Sequence, residues 1–185
     1  MNEFPIIEKN DLILRKLELN DYDNYYDYVT DPAIAKQFLF DYDRESCYKR
    51  LEELIQTYSS EEDDVLVWAI ALKSTNEMIG IITLYPVSFA NKNCEISYGI
   101  RNKYRANNYA YQASYALIDY IFNNWDMHRF QIAHNVNNIA SQKTIEKLGA
   151  KLEGIARESK FYNNGFVDRK IYSILKSDWI AMKNK

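Results

Sequence analysis

The sequence predicts a single α/β domain, residues 1–185, built on a mixed central sheet of about seven strands with helices on both faces. Three observations carry this. Strand-like and helix-like segments alternate along the chain with no Pro-, Gly- or Ser-rich linker and no internal repeat. A length of 185 residues suits one domain with a full core and is short for two. Hydrophobic residues at 47% and charged residues at 26% match an ordinary globular protein, which excludes disorder, collagen-like repeats and low-complexity scaffolds.

The elements follow in order. Leu12 to Leu17 alternates loosely without a breaker and reads as the first strand. Asn20 or Asp21 then caps a helix running through Val29, because their short side-chain oxygens satisfy free N-terminal amides. Asp31 caps a second short helix with Pro32 at its first position, and Arg44 to Thr57 is a longer helix with Leu51, Leu54 and Ile55 at helical spacing. The acidic run from Ser59 to Asp64 reads as a solvated connection. Val65 to Leu72, Met78 to Tyr85 and Cys94 to Ile100 form an antiparallel meander, its first pair joined by the turn from Ser74 to Glu77.

Asn108 to Asn124 is a helix with Ala113, Ala116, Leu117, Tyr120 and Ile121 on its apolar face. Arg129 to Val136 is a strand, Asn138 to Leu148 a helix ended by Gly149, and Ala150 to Arg157 a strand. Asn163-Asn164-Gly165 is a hairpin turn, and Phe166 to Leu175 is the returning strand. Strand-helix-strand crossovers within one sheet are parallel and right-handed, so the middle of the sheet is mixed.

Composition removes several functions. Against 26 acidic residues stand 23 basic ones, a net charge of -3, which argues against nucleic-acid binding by broad phosphate neutralisation. No apolar run approaches a membrane span, and Met1 to Glu8 lacks the basic start of a signal peptide. Cys47 and Cys94 are too few and too far apart for a disulfide scaffold, which fits a reducing, cytoplasmic setting. The five glycines cannot make G-x-G-x-x-G or a P-loop. His128, His134 and two remote cysteines do not have the spacing of a zinc site, and no metal is expected. The 16 tyrosines read as amphipathic packing.

Two segments can carry chemistry. Tyr98 to Ala110 joins a strand to a helix through three Asn, the residue after Gly most tolerant of left-handed backbone. Such a loop presents free helix amides, a device for holding phosphate; by itself it is equally a well-capped turn. Asn138-Ile139-Ala140-Ser141 opens the next helix, with the Ser141 amide in reach of the Asn138 side chain, and its simplest reading is a cap.

Taken together the two segments resemble the GNAT superfamily of acetyl-coenzyme A dependent acetyltransferases, RimJ/RimL type. The family loop R-G-x-G-Y-A-x-E-A is similar to Arg105-Ala106-Asn107-Asn108-Tyr109-Ala110-Tyr111-Gln112-Ala113. The family's N-x-x-S and E-K-L-G-F resemble Asn138 to Ser141 and Glu146 to Ala150; its downstream E-G, N-G, D and E-W resemble Glu153-Gly154, Asn164-Gly165, Asp168 and Asp178-Trp179. The resemblance spans Leu12 to Trp179 and implies a GNAT fold with acetyl-coenzyme A bound by Tyr98, Gly99, Ile100, Arg105, Ala106, Asn107, Asn108, Tyr109, Ala110 and Asn138.

The departures are specific. Both loop glycines are replaced, by Ala106 and Asn108; Asn108 can turn left-handed, whereas Ala106 is expected in an ordinary conformation. The family Tyr that protonates the leaving thiolate falls at Ile145, and another relative's acid falls at Ala133. The implied reaction is direct attack of a primary amine, on a peptide N-terminus or a small molecule, on the acetyl thioester. Ser141 is the candidate aid to the thiolate. Glu95 is the candidate base, acting through water, and Glu158 a second candidate; in one branch of relatives the base sits two residues later, where this chain has Lys160 on the same strand face. His134 reads as a structural strand histidine. Partner expectations are the amine substrate, no nucleic acid and no membrane, with a homodimer left open. Two other classes compete: a GNAT-fold sensor that binds coenzyme A without transfer, and an interaction module using the Tyr-rich N-terminal helices.

Overall fold

The computed structural model describes residues 4–38, 43–58, 65–88, 90–162 and 165–184. Its framework is one eight-stranded sheet in the order β1-β2-β3-β4-β5-β6-β8-β7. The strands are β1 Ile7–Lys9, β2 Leu12–Arg15, β3 Leu66–Leu72, β4 Met78–Ser88, β5 Asn93–Ile100, β6 Arg129–Asn135, β7 Lys151–Tyr162 and β8 Gly165–Leu175. The helices are α1 Tyr22–Val29, α2 Pro32–Phe38, α3 Arg44–Thr57, α4 Tyr109–Asn124, α5 Ile139–Lys147 and α6 Lys176–Lys183. Neighbouring strands are antiparallel except β5 and β6, which are parallel across the α4 crossover. The mixed sheet is therefore as the sequence predicts, with an additional edge strand, β1, and a final helix, α6.

The sheet is covered on both faces at β3, which is apolar at every position from Leu66 to Leu72. In β3, Val67 and Ala69 face one core cluster while Trp68 and Ile70 face the other. Tyr25, Tyr28, Val29, Ile34, Cys47 and Leu51 from α1, α2 and α3 close the first face. On the second, α4 inserts Ala113, Leu117, Ile118, Ile121 and Phe122, with Ile145 before the end of α5 and Trp179 of α6 beside them. Phe122 meets Phe130 edge-on at 4.9 Å, an aromatic geometry that adds to area burial.

Several local expectations change. Asp21 does not cap α1. Its carboxylate takes a two-pronged ion pair from buried Arg15, 2.8 Å on each branch, and accepts the Glu18 amide at 2.9 Å. Arg15 also bonds the side chain and carbonyl of Asn76 in the β3–β4 turn, so one guanidinium joins three segments. Asp31 does cap α2, accepting the amides of Ala33 and Ile34. Strand β7 runs to Tyr162, with register shifts at Leu152/Gly154 and Ala156/Lys160. Glu158 lies within the second shift at φ 49°, its amide donated to Asp168 at 2.8 Å. The acidic run and the Asn163-Asn164 half of the hairpin turn lie outside the described residues. No described helix is long and apolar enough to cross a membrane.

Candidate active site

The parallel ladder of β5 with β6 pairs Asn93–Ile96 to Arg129–Ile132 and then stops. Beyond it β5 stays bonded to β4 as far as Ile100, and β6 to β8 as far as Asn135. The sheet thus opens as a wedge at the carboxyl ends of its two parallel strands, the usual crevice for ligands in open α/β sheets. A cavity of about 580 Å³ fills it, within the size range of small-molecule sites.

At one wall the chain leaves β5 through a short 3-10 turn, Asn102–Tyr104, and enters α4. Both replaced loop glycines hold left-handed backbone: Ala106 at φ 64° and Asn108 at φ 63°. The expectation of an ordinary conformation at Ala106 is therefore wrong. The turn is imposed from outside, since the Arg105 guanidinium bonds the Ile100 carbonyl at 3.0 Å and pairs with Asp31 at 2.9 Å. A left-handed alanine costs ~1–2 kcal/mol, and strain of this kind collects at ligand clamps. The Asn108 side chain does not cap α4 but accepts Lys147 Nζ at 3.0 Å. The opening amides of this 16-residue helix are thus left without that cap, at the positive end of the helix dipole.

At the second wall α5 begins on Asn138, whose side chain accepts the Ser141 amide at 3.1 Å. Ser141 lines the cavity, while Ile145, one turn on, is fully buried in the core. Tyr98 reaches across from β5, its hydroxyl 3.2 Å from Ser141 Oγ. Burial pushes the Tyr98 phenol up, opposed by hydrogen bonds with Ser141 and Thr144.

Glu95 lies on the opposite face of β5, at the end of the ladder. It accepts Gln131 Nε2 at 3.0 Å and faces Arg169 Nη1 at 3.8 Å. Tyr85, Lys160 and Tyr162 line this half of the cavity. Gly99 belongs here as well: a Cβ would meet the Tyr28 hydroxyl at 2.5 Å, so its lack of a side chain lets α1 pack against the sheet.

Of the residues expected from the sequence, Glu95, Tyr98, Gly99, Ile100, Arg105, Ala106, Asn108, Tyr109, Ala110, Asn138 and Ser141 all border this one cavity. Asn107 does not border it; its side chain folds back onto the carbonyls of Tyr104 and Arg105. Glu158 is also outside, because the bulge in β7 breaks the alternation that would have put it on one face with Lys160. His134 is buried on the cavity wall, stacked on Tyr172, with Nδ1 2.7 Å from its neighbour's carbonyl. Burial lowers its pKa, so it is neutral at pH 7. Gln131, Lys147 and Arg169 were missed by the sequence reading, since each gains its place from a strand or helix remote in sequence.

The other motif residues hold the frame. Arg129 grips Glu153 at 2.6 and 2.7 Å while Ser173 donates to it, and these bonds hold its carboxyl down at about 2. Trp179 donates to Asp119 at 2.9 Å. Among the described residues no group of three or more His, Cys, Asp or Glu is placed to hold a metal ion.

Comparison with known proteins bears on the family and the fold. Residues 11–151 match the family model described as an acetyltransferase (GNAT) domain. An uncharacterized N-acetyltransferase of Bacillus subtilis, YoaA, is 26% identical over 94% of this chain and 98% of its own. The ribosomal-protein-serine acetyltransferase of Escherichia coli is 29% identical over 53% of this chain and 55% of its own. Among solved structures, a GNAT-family acetyltransferase from Bacillus anthracis superposes with a TM-score of 0.82 at 22% identity, covering 94% of this chain and 99% of that one. RimL, a ribosomal L7/L12 alpha-N-protein acetyltransferase in complex with coenzyme A, does so at 0.80 and 20%, covering 92% and 98%. With the family model matching most of the chain and the same fold recurring across those structures, the protein belongs to the GNAT acetyltransferase family.

Proposed function

We propose that this chain transfers the acetyl group of acetyl-coenzyme A to a primary amine by direct attack, with a peptide N-terminal α-amine as the favoured acceptor. The observation that carries the reading is the left-handed pair Ala106 and Asn108 before the uncapped start of α4, beside a wedge with unpaired strand backbone. Two L-residues held in glycine-like backbone keep the amide cradle that the replaced glycines would have supplied. That weakens the coenzyme A sensor reading on one of its two motives, the loss of those glycines, the other being Ile145 in place of the family Tyr.

In this reading the amides from Ala106 to Ala110 bind the pyrophosphate, and the exposed backbone edges of β5 and β6 take the arm that leads to the thioester. The acetyl group then lies where the sheet opens, between Ser141 on one face and Glu95 on the other. The amine must be neutral to attack. At pH 7 an α-amine needs about 1 pKa unit, or roughly 1.4 kcal/mol, and a lysine amine about 3.4 units, or roughly 4.6 kcal/mol. A single carboxylate acting through water suits the smaller demand. Glu95, fixed by Gln131 and Arg169, supplies it. Relatives named for ribosomal-protein acetylation add weight to a protein N-terminus as acceptor.

The test is thiol release from acetyl-coenzyme A against a panel of α-amine peptides, lysine side-chain analogues and polyamines. Turnover highest on α-amines supports the proposal. Binding of coenzyme A without turnover on any amine would return the sensor reading, and no binding at millimolar concentration would remove both.

A further inference from the structure

Resting on the acetyl-transfer reading, we propose that Tyr98 is a catalytic residue, its phenol donating a hydrogen bond to the departing sulfur while Ser141 holds the phenol in place. Tyr98 stands two residues past the last β5–β6 pair, where the sheet has opened. Strand alternation puts it on the same side as Cys94, Ile96 and Ile100, whose side chains belong to the core under α4 and α5. Its hydroxyl is 3.2 Å from Ser141 Oγ and 3.5 Å from the Ser141 carbonyl. The second distance is long for an O–H···O bond. When Ser141 Oγ donates to Tyr98 Oη, the phenol hydrogen is free to turn from its other hydroxyl neighbour, Thr144, into the cavity that all three residues line.

The choice of Tyr98 over Ser141 follows from acidity and from what each already holds. A phenol is a far stronger acid than a serine hydroxyl and the better donor to a sulfur gathering negative charge. Burial keeps Tyr98 protonated, so it enters each turnover as a donor. The α5 residue one turn beyond Ser141 is the buried Ile145, which offers nothing to sulfur. A phenol thus reaches the same space from the facing strand.

The step balances without another reactant. The amine nitrogen bonds to the acetyl carbon, the C–S bond breaks and its electron pair stays on sulfur, where it accepts the Tyr98 hydrogen bond. Nitrogen loses one proton in becoming an amide, passed through water to Glu95; Glu95 releases it to solvent and the thiolate takes one proton from solvent, so the count closes. Tyr98 ends the cycle protonated, as it began.

Tyr98→Phe keeps the ring and removes the donor. With acetyl-coenzyme A and an α-amine peptide it should lower kcat about 10- to 100-fold, while KM for acetyl-coenzyme A, affinity for coenzyme A and melting temperature change little. A thioester of an arenethiol, whose thiolate leaves without help, should show a loss several-fold smaller. A merely structural tyrosine would slow both donors equally. Ser141→Ala combined with Tyr98→Phe should cost little more than the worse single change, since both act on one atom. Unchanged kcat in Tyr98→Phe, or equal loss with both thioesters, would overturn the assignment while leaving acetyl transfer intact. Absence of transfer by the wild type would instead overturn the function on which it rests.

Discussion

The ammonium of Lys147, at the end of α5, sits 3.0 Å from the side-chain oxygen of Asn108 and 4.4 Å above the ring of Tyr111. Two contacts on separate residues of the α4 entrance fix a positive charge beside the uncapped amides. Lys147→Gln should therefore weaken coenzyme A binding about 3- to 10-fold by calorimetry, with the deficit shrinking in high salt as screening removes the charge effect. A deficit independent of salt would mean that the contact shapes the loop rather than attracting phosphate.

Ala106 offers a test of strain. Ala106→Gly removes the left-handed penalty and gives back part of it as unfolded-state entropy, for a net gain on the order of 1 kcal/mol and a melting temperature higher by about 2–4 °C. Coenzyme A affinity should be kept. Ala106→Val should lower both. A glycine variant melting below the wild type would contradict the strained geometry.

Glu95→Gln keeps the size and an oxygen for the Gln131 hydrogen bond but removes the base. Turnover on an α-amine should fall by about 10-fold or more, with coenzyme A affinity unchanged, because the loss arises after binding. If the loss is smaller and the rate profile of both proteins follows only the pKa of the amine used, water takes the proton unaided.

The Arg15–Asp21 pair is buried on both sides, so removing one partner strands a charge. Asp21→Asn or Arg15→Met should cost ~3–5 kcal/mol in chemical denaturation, and a joint apolar replacement of both should cost clearly less than the two single losses added.

Acid sensitivity should draw on Glu77 alongside Glu153. Hydrogen bonds from Tyr104, Lys103 and Arg101 pull the Glu77 carboxyl down to about 2 from an ordinary 4.5. A depressed folded-state pKa means stability that is present above 4.5 and lost as pH falls toward 2. With the side chain 29% exposed, solvent screening reduces the effect to on the order of 1 kcal/mol. The melting temperature of Glu77→Gln should fall less steeply than that of the wild type over that pH window; parallel slopes would assign the acid response to other carboxylates.

Much of this architecture is legible in the chain itself. The bounds of α3 follow from leucine spacing, and α5 from Asn138 at one end and Gly149, at φ 78°, at the other. The meander could be read because β3 and β4 are mostly apolar runs split by a polar turn, and β5 alternates buried Cys94 and Ile96 with polar Glu95 and Ser97. Strand β1 escaped because it has three residues and one buried side chain, Ile7, and owes its form to pairing with β2. Asp21 was misread as a cap because local sequence cannot reveal a guanidinium across the turn. Ala106 was misread because intrinsic preference is overridden by the anchoring of Arg105. The two sides of the site differ likewise: its loop and helix start are contiguous motifs, whereas Tyr98 meets Ser141, and Glu95 meets Arg169, only after strands distant in sequence come together.

The insertion of β8 between β6 and β7 bears on the order of assembly. Strand β6 shares four register pairs with β5 and seven with β8. While the ribosome is still making residues before Gly165, one side of β6 therefore lacks its main neighbour, and the wedge has only one firmly held flank. Pairings of high sequence separation form slowly. A nascent chain should carry a complete amide loop well before it carries a complete cleft, and its capacity to hold a thioester in place should appear late and abruptly, when the hairpin returns.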